Sequence, residues 1–294
     1  MPNKDTVVAV ISDMQVGSTV ALCPLKWSKM EGGSHRASPG QRIIHREWIH
    51  SATKVNECLN EHKERKRLVL VVNGEPIDGD HHATPQLITT IKSQQLAMSE
   101  SLLDEWLNHV GYNDKHGDKI YLVRGTTAHE RGEHINELGR DIDGVVPYRK
   151  DTSEILRDGR YYWQILKRRV NGVYFRITHH GFGRGSRAWT TENSIQYALK
   201  SYYFKCLDEG KPIPEYMITS HKHVYNEAHY FGRQKTMFGC TTPCWQLPTH
   251  FVYKVASLED LSTIGMIYVD VTANGGSKLY KEFIEVENTK IGEF

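Results

Sequence analysis

The sequence predicts an α/β protein, and three features of the 294-residue chain point that way. Short β-branched apolar runs recur at Thr6–Ile11, Leu68–Val72 and Lys119–Val123. Between them, apolar residues return at three- and four-residue spacing, the period of an amphipathic helix. Each run also stops at a cluster of glycine with acidic or imidazole side chains, and in open α/β sheets ligands collect outside the carboxyl ends of the strands.

Taken in order, Thr6–Ile11 is the first strand, and it ends in Ser12-Asp13-Met14-Gln15, where a carboxylate and an amide two positions apart lean the same way on an extended chain. Residues 23–40, with their Gly, Ser and Pro, read as an irregular insertion that could form a flap. From Gln41 the residues Ile44, Trp48, Ala52, Val55 and Leu59 define a helix. The charged run Glu61–Arg67 reads as its solvated end. Leu68–Val72 is a buried parallel strand stopping at Asn73-Gly74, followed by Glu75, Asp78, Asp80, His81 and His82. Thr84-Pro85 predicts an N-cap with Pro at the first helical position, and Leu87, Ile91, Met98, Leu102 and Trp106 continue a helical stripe. Lys119–Val123 is the third strand, ending in Arg124-Gly125-Thr126-Thr127-Ala128-His129-Glu130-Arg131. His129 and His134 are five apart and cannot share a helix face as zincin ligands do. Asp141, Asp143 and Gly144 lack the rest of a calcium loop and read as a turn.

After Pro147 the pattern changes. Asn171-Gly172 between two apolar runs is a hairpin signal, so antiparallel strands are expected from here on. The second arm ends in His179-His180-Gly181. A helix over about 190–209 follows, then the short run Tyr216–Thr219 and Ser220-His221-Lys222-His223, whose two imidazoles can point to one side of an extended chain. The remaining residues read as hairpins (230–238, 264–271, 279–286) closing a second sheet. No repeat or linker divides the chain, so a single domain over 1–294 is expected.

Composition narrows the function classes. The net charge is +2, with 37 basic against 35 acidic residues. No polybasic tail forces a nucleic-acid partner, although a local patch could hold phosphates. Five scattered cysteines make a poor disulfide framework and suggest a reducing, cytoplasmic setting. No apolar run approaches the ~18 residues of a membrane span.

Five strand ends thus carry Asp13-x-Gln15, Gly74-Glu75-x-x-Asp78, Gly125 through His129-Glu130, His179-His180-Gly181 and Ser220-His221-x-His223. Carboxylate, amide oxygen and imidazole suit Mn²⁺, Fe and Zn²⁺, and this mixture suits a two-metal centre. The ordered set resembles the calcineurin-like metallophosphoesterases, in particular the short stand-alone members common in bacteria and tailed phages. The family order is Asp-x-His, Gly-Asp-x-x-Asp, Gly-Asn-His-Asp/Glu, His and Gly-His-x-His.

The resemblance implies two facing mixed β-sheets flanked by helices, a four-layer sandwich with metals at the strand ends. It implies that Asp13, Gln15 and His223 hold one divalent ion, that Glu75 bridges, and that His180 and His221 hold the second, with His179 in reserve. It also implies that His129 is the acid for the leaving oxygen, held by Glu130, with Asp78 beside them. Arg131, Arg184 and Arg187 lie near the motifs and could clamp a phosphate. Three positions depart from the family: Gln15 replaces a His, Glu75 replaces an Asp, and the Asn ligand before His129 is absent, leaving a Thr hydroxyl, a water or His129 itself to fill the place. Mn²⁺ is the first expectation for the metal, with Zn, Fe or Ni as alternatives. The expected activity is phosphodiester hydrolysis by a metal-bound hydroxide, on DNA or a nucleotide before a phosphomonoester or phosphoprotein. The competing expectation is a weakened centre used as a binding module for nucleic acid or protein.

Overall fold

The computed structural model describes residues 3–80, 84–130, 134–148, 160–182, 191–249 and 262–286. The first strand, β1 (Thr6–Ile11), is buried on both faces and pairs in parallel with β4 (Arg67–Asn73). β4 in turn pairs in parallel with β5 (Lys119–Val123), which takes the two-residue strand β6 (Tyr162–Trp163) at its far edge. On its other side β1 carries β12 (Ser262–Val271) and then β13 (Ser277–Val286), both antiparallel, giving the order β13-β12-β1-β4-β5-β6.

The hairpin β12–β13 therefore extends the first sheet instead of closing a second one. The second sheet is built from β7 (Leu166–Val170), β8 (Val173–Ile177), β9 (Tyr216–Thr219), β10 (Asn226–Phe231) and β11 (Thr236–Thr241), in the order β10-β11-β9-β8-β7. The hairpin at Asn171-Gly172 forms as expected, but β8–β9 and β9–β11 are parallel, so this sheet is mixed. A helix between β8 and β9 makes the crossover that a parallel pair requires.

Side-chain alternation along each strand sets the layers. Val8, Val10, Val71, Tyr121 and Val269 of the first sheet meet Phe175, Ile177, Tyr216, Ile218 and Phe238 of the second in one buried core. Val7, Ala9, Ile11, Leu68 and Leu70 point the other way. They pack against α1 (Pro39–Leu59), α2 (Lys92–Val110) and α4 (His134–Asp141), which the single turn α3 (Thr127–Glu130) precedes. α5 (Thr191–Asp208) covers the outer face of the second sheet through Ile195, Leu199 and Tyr203. Helix, sheet, sheet and helix make the four layers.

Local chemistry explains several boundaries. α1 begins at a capping box in which the Ser38 hydroxyl accepts from Gln41 N and the Gln41 side chain accepts from Ser38 N, with Pro39 entering the first turn. The stretch before it is not wholly irregular, because β2 (Lys26–Ser28) and β3 (Ser34–Arg36) form a small hairpin. The helix expected from Thr84 starts only at Lys92. The backbone of residues 86–88 is taken up by the loop after β1, with Thr19 N donating to Gln86 O at 2.9 Å and Ile88 N to Gly17 O at 2.7 Å.

The charged run after α1 is not simply a solvated helix end. Lys66 is 2 % exposed, and its Nζ lies 2.6 Å from Asp270 Oδ2 and 3.1 Å from Glu61 Oε2. Cys58 Sγ, 3.8 Å away, completes a Cys58–Glu61–Asp270 group whose cation is this ammonium. Lys66→Ala leaves Asp270 without its partner and is expected to cost about 3 kcal/mol, the lower end for breaking a buried pair since Glu61 is half exposed. A urea unfolding midpoint unchanged by the substitution would refute this.

All five cysteines are free. No helix among the described residues is long and apolar enough to cross a membrane.

Candidate metal centre

Five parallel-running strands end at one place. Asp13 and Gln15 follow β1, Glu75 follows β4, Thr126 follows β5, His179 follows β8, and His221 and His223 follow β9. The loops are knitted by their backbones: Asp13 N donates to Gly74 O, Gln15 N to Glu75 O, and Trp245 N to Asp13 O, at 3.3, 3.0 and 3.0 Å.

Backbone strain is concentrated here. Asp13, Gln15, Glu75, His221 and His223 all have left-handed φ, at 49°, 50°, 47°, 71° and 58°. Such angles cost of order 1–3 kcal/mol each in a non-glycine residue and survive only where surrounding contacts over-determine them. Beyond these five, the described non-glycine residue with a left-handed φ is Asn171, which sits in a hairpin turn where this conformation is ordinary. Gly74 is needed for another reason: a Cβ there would lie 2.2 Å from His179 Nδ1. The absence of a side chain at 74 is what admits the imidazole.

Glu75 is the centre of the group and is wholly buried. Its Oε1 lies 3.0 Å from His179 Nε2, 3.6 Å from His221 Nδ1 and 3.3 Å from Thr126 N. Its Oε2 accepts from the Gln15 side-chain amide and lies 3.9 Å from His129 Nε2. The two oxygens thus face two different sets of donors. Asp13, also fully buried, places Oδ1 3.4 Å from His223 Nε2 and 4.0 Å from His179 Nε2, while Oδ2 accepts from His221 N. His179, His180 and His221 close a triangle of rings with centroids 4.4–5.1 Å apart. Candidate ligand atoms of His179, His180 and His221 lie within 4.8 Å of one another, as do those of Asp13, Glu75 and His179.

Two imidazoles are oriented by backbone carbonyls, which can only accept. His179 donates from Nδ1 to Asn73 O at 3.0 Å, and His129 donates from Nδ1 to Asp78 O at 2.6 Å. In both rings Nε2 is left aimed inward, the arrangement in which a second hydrogen bond fixes the tautomer of a ligating or proton-transferring histidine.

The electrostatics call for positive charge. Burial alone would raise the Glu75 pKa, but His179 and His221 against its oxygens hold it well below the ordinary carboxylate range. Burial likewise opposes charging of His179, yet Asp13 and Glu75 push its pKa up to about 9. His180 is shifted down by partial burial and by its His179 and His221 neighbours. Two buried carboxylates whose charged neighbours are imidazoles favour a cation beside them. The buried Asp13 Oδ1 and Gln15 Oε1 have no hydrogen-bond partner, as expected of oxygens reserved for a metal. The donor set of carboxylate, imidazole, hydroxyl and amide oxygen fits divalent ions.

The structure brings together Asp13, Gln15, Glu75, Asp78, His129, His180, His221 and His223. Asp78 accepts from Gln246 Nε2 at 3.4 Å at the back of the group. Arg131, Arg184 and Arg187 lie outside the described residues, as do His81, His82 and the Glu130 side chain. His179, second to His180 in the sequence reading, is the ring that touches both Glu75 and Asp13. Thr126 is the addition of greatest consequence: its Oγ1 lies 3.3 Å from His221 Nδ1 and 3.4 Å from His180 Nε2. Asn73 and Ser220, which seat His179, give no sequence signal because they act through one carbonyl and one hydroxyl.

No protein-family model and no curated protein matches the chain. Among solved structures it is similar to a dimetal phosphatase from Danio rerio, at 9 % identity and TM-score 0.43 over 97 % of this chain and 98 % of that one. It is similar to a hypothetical protein from Pyrococcus horikoshii at 11 % and 0.39, over 97 % and 89 % of the two chains. A Streptococcus pneumoniae protein described as a predicted phosphoesterase stands at 11 % and 0.32, over 94 % and 97 %. At these identities and scores they decide nothing about the site, which stands on its own residues.

Proposed function

We propose that the protein is a metal-dependent phosphoesterase of the calcineurin-like kind, acting on a phosphodiester, with nucleic acid or a nucleotide as the favoured substrate. The observation that carries the proposal is Glu75: one buried carboxylate presents one oxygen to His179, His221 and Thr126 and the other to Gln15 and His129. That is the geometry of a bridging ligand. Asp13, Gln15 and His223 would hold one ion, and His180, His221 and Thr126 the other, with His179 between the two. Mn²⁺ is favoured, since amide and carboxylate oxygens suit a harder ion. When bound, the ions supply Lewis acidity that makes a nucleophile from water and neutralises phosphoryl charge.

The chain's own residues do the rest. His129, its Nδ1 tied to Asp78 O, keeps Nε2 on the site side and would hand its proton to the leaving oxygen. Glu130 and Asp78 would hold it there, and Arg131, Arg184 and Arg187 are proposed for the substrate phosphate.

The test is metal analysis of the purified protein together with hydrolysis of bis-p-nitrophenyl phosphate and p-nitrophenyl phosphate with added Mn²⁺. Metal-dependent turnover, faster on the diester, supports the proposal. Faster turnover of the monoester would make the protein a phosphomonoesterase, and bound metal without turnover on either would make it a binding module.

Gln15 offers a second check on the ligand set. Imidazole is a stronger donor than an amide oxygen, so Gln15→His is expected to tighten Zn²⁺ binding at the first site by roughly tenfold or more. Unchanged or weaker binding on titration would show that Gln15 serves Glu75 as a hydrogen-bond donor only.

A further inference from the structure

The side of the sandwich where β6 and β7 form the sheet edges carries a concentration of cations that the metal centre does not use. Arg168 lies 4.2 Å over the Trp163 ring and 5.3 Å over Tyr121. Arg169 lies 5.2 Å over Tyr174, Arg176 4.9 Å over Tyr202, and Arg124 5.5 Å over Tyr162. Arg168 and Arg124 reach rings of the β5–β6 edge, while Arg169 and Arg176 stack on Tyr174 and on Tyr202 of α5 at the outer face of the second sheet, and β7 borders both groups. Lys167 joins them, exposed on β7 and directly opposite Arg176 on β8.

These charges lack the partners that surface arginines ordinarily have. Arg46 and Arg65 are paired with carboxylates elsewhere, whereas Arg124, Lys167, Arg168, Arg169 and Arg176 are in no ion pair among the described residues. Arg168 and Arg169 each give one N–H to a carbonyl of their own hairpin, of Lys167 and Gly172. The buried Nε atoms of Arg124 and Arg176 have no hydrogen-bond partner. Glu209, the acid whose field reaches Lys167, is already bound to Lys211 and Lys205. A like-charge pair directly across two strands, here Lys167 and Arg176, is destabilising in itself. A chain of net charge +2 has no compositional reason to gather five cations on one edge.

The rings supply the physical reason for the arrangement. A guanidinium held over an aromatic face is restricted in position, so it loses less entropy when an N–H that the hairpin does not use meets a phosphate. Lys167 and Arg169 stand on the same face of the edge strand, two residues and so roughly 6–7 Å apart along the backbone, and present two adjacent cations to one polyanion. Because the rings are covered by the arginines, they are not offered to bases. The contacts are to the backbone and independent of sequence.

We infer that this edge, formed by Arg124, Lys167, Arg168, Arg169 and Arg176, binds the phosphodiester backbone of a nucleic acid. Its Arg124 end lies next to the metal centre in the chain, two residues before Thr126. The inference rests on the phosphoesterase reading only in that the bound strand would also be the substrate; binding itself needs no metal.

The test uses the full chain in EDTA at low salt, with fluorescent single-stranded DNA, single-stranded RNA and duplex DNA as separate arms read by anisotropy, and with polyglutamate as competitor. Lys167→Ala combined with Arg169→Ala changes two exposed side chains on an edge strand and should fold as wild type, which circular dichroism checks. Binding by at least one arm is expected to weaken roughly tenfold or more. The slope of log Kd against log salt should fall by about 1.5, the loss of two phosphate contacts. Hydrolysis of bis-p-nitrophenyl phosphate by the double variant should stay at the wild-type rate, and His221→Ala should bind as tightly as wild type. No binding by wild type, binding and slope unchanged in the folded double variant, or equal displacement by polyglutamate at matched charge would each overturn the inference. Loss of hydrolysis in wild type with the binding pattern intact would overturn the phosphoesterase reading alone.

Discussion

Glu75→Gln is expected to remove both metal ions and to lower diester hydrolysis by roughly 10³-fold, the several kcal/mol that charge stabilisation at such a centre is worth. The amide matches the carboxylate in shape and can still meet its neighbours in the pocket, so the fold should persist. What is lost is the negative charge that both ions share. The histidines should divide this effect. His223 stands beside Asp13, and His221 beside Glu75 Oε1, His180 and Thr126. His223→Ala and His221→Ala should therefore each leave about one ion per chain by elemental analysis, where Glu75→Gln leaves none. Full occupancy in Glu75→Gln would end the bridging assignment, and loss of both ions in each histidine variant would point to a single shared site.

The second large effect belongs to His129. A general acid contributes ~10²–10⁴-fold, most of it when the leaving group is a poor one. His129→Ala should cripple hydrolysis of an alkyl phosphodiester by that factor while slowing a nitrophenyl ester far less, because nitrophenolate departs without a proton. Metal content should hardly change, since His129 Nε2 is 3.9 Å from Glu75 and the ring is anchored on Asp78 rather than on the other imidazoles. Equal losses on both esters together with metal loss would place His129 among the ligands.

Much of this site was legible before any coordinates. Each block follows a short, mainly apolar strand, and side chains placed just past the carboxyl ends of neighbouring parallel strands must converge. Asp13, Glu75 and His129 could be named on that ground, and His221 and His223 by their alternate spacing. The choice between His179 and His180 could not. Both rings reach the group, and which of them meets Glu75 depends on the Gly74 backbone leaving room for a ring and on Asn73 O receiving its proton. Thr126 was similarly opaque, because a hydroxyl becomes a candidate ligand only by its distance from two imidazoles on another sheet.

The amino-acid sequence by itself determined the alternation of strands and helices, the buried parallel centre of the first sheet and the chemistry of the five strand ends, because period, β-branching and glycine act over a few residues. Tertiary structure alone decided what depends on distant partners. It placed β12 and β13 beside β1, delayed α2 to Lys92 by engaging residues 86–88 with the loop after β1, and buried Lys66 against Asp270. Hydrogen bonds and ion pairs between segments far apart in the chain leave no local pattern, and in each case satisfying a buried backbone or charged group outweighed the local preference.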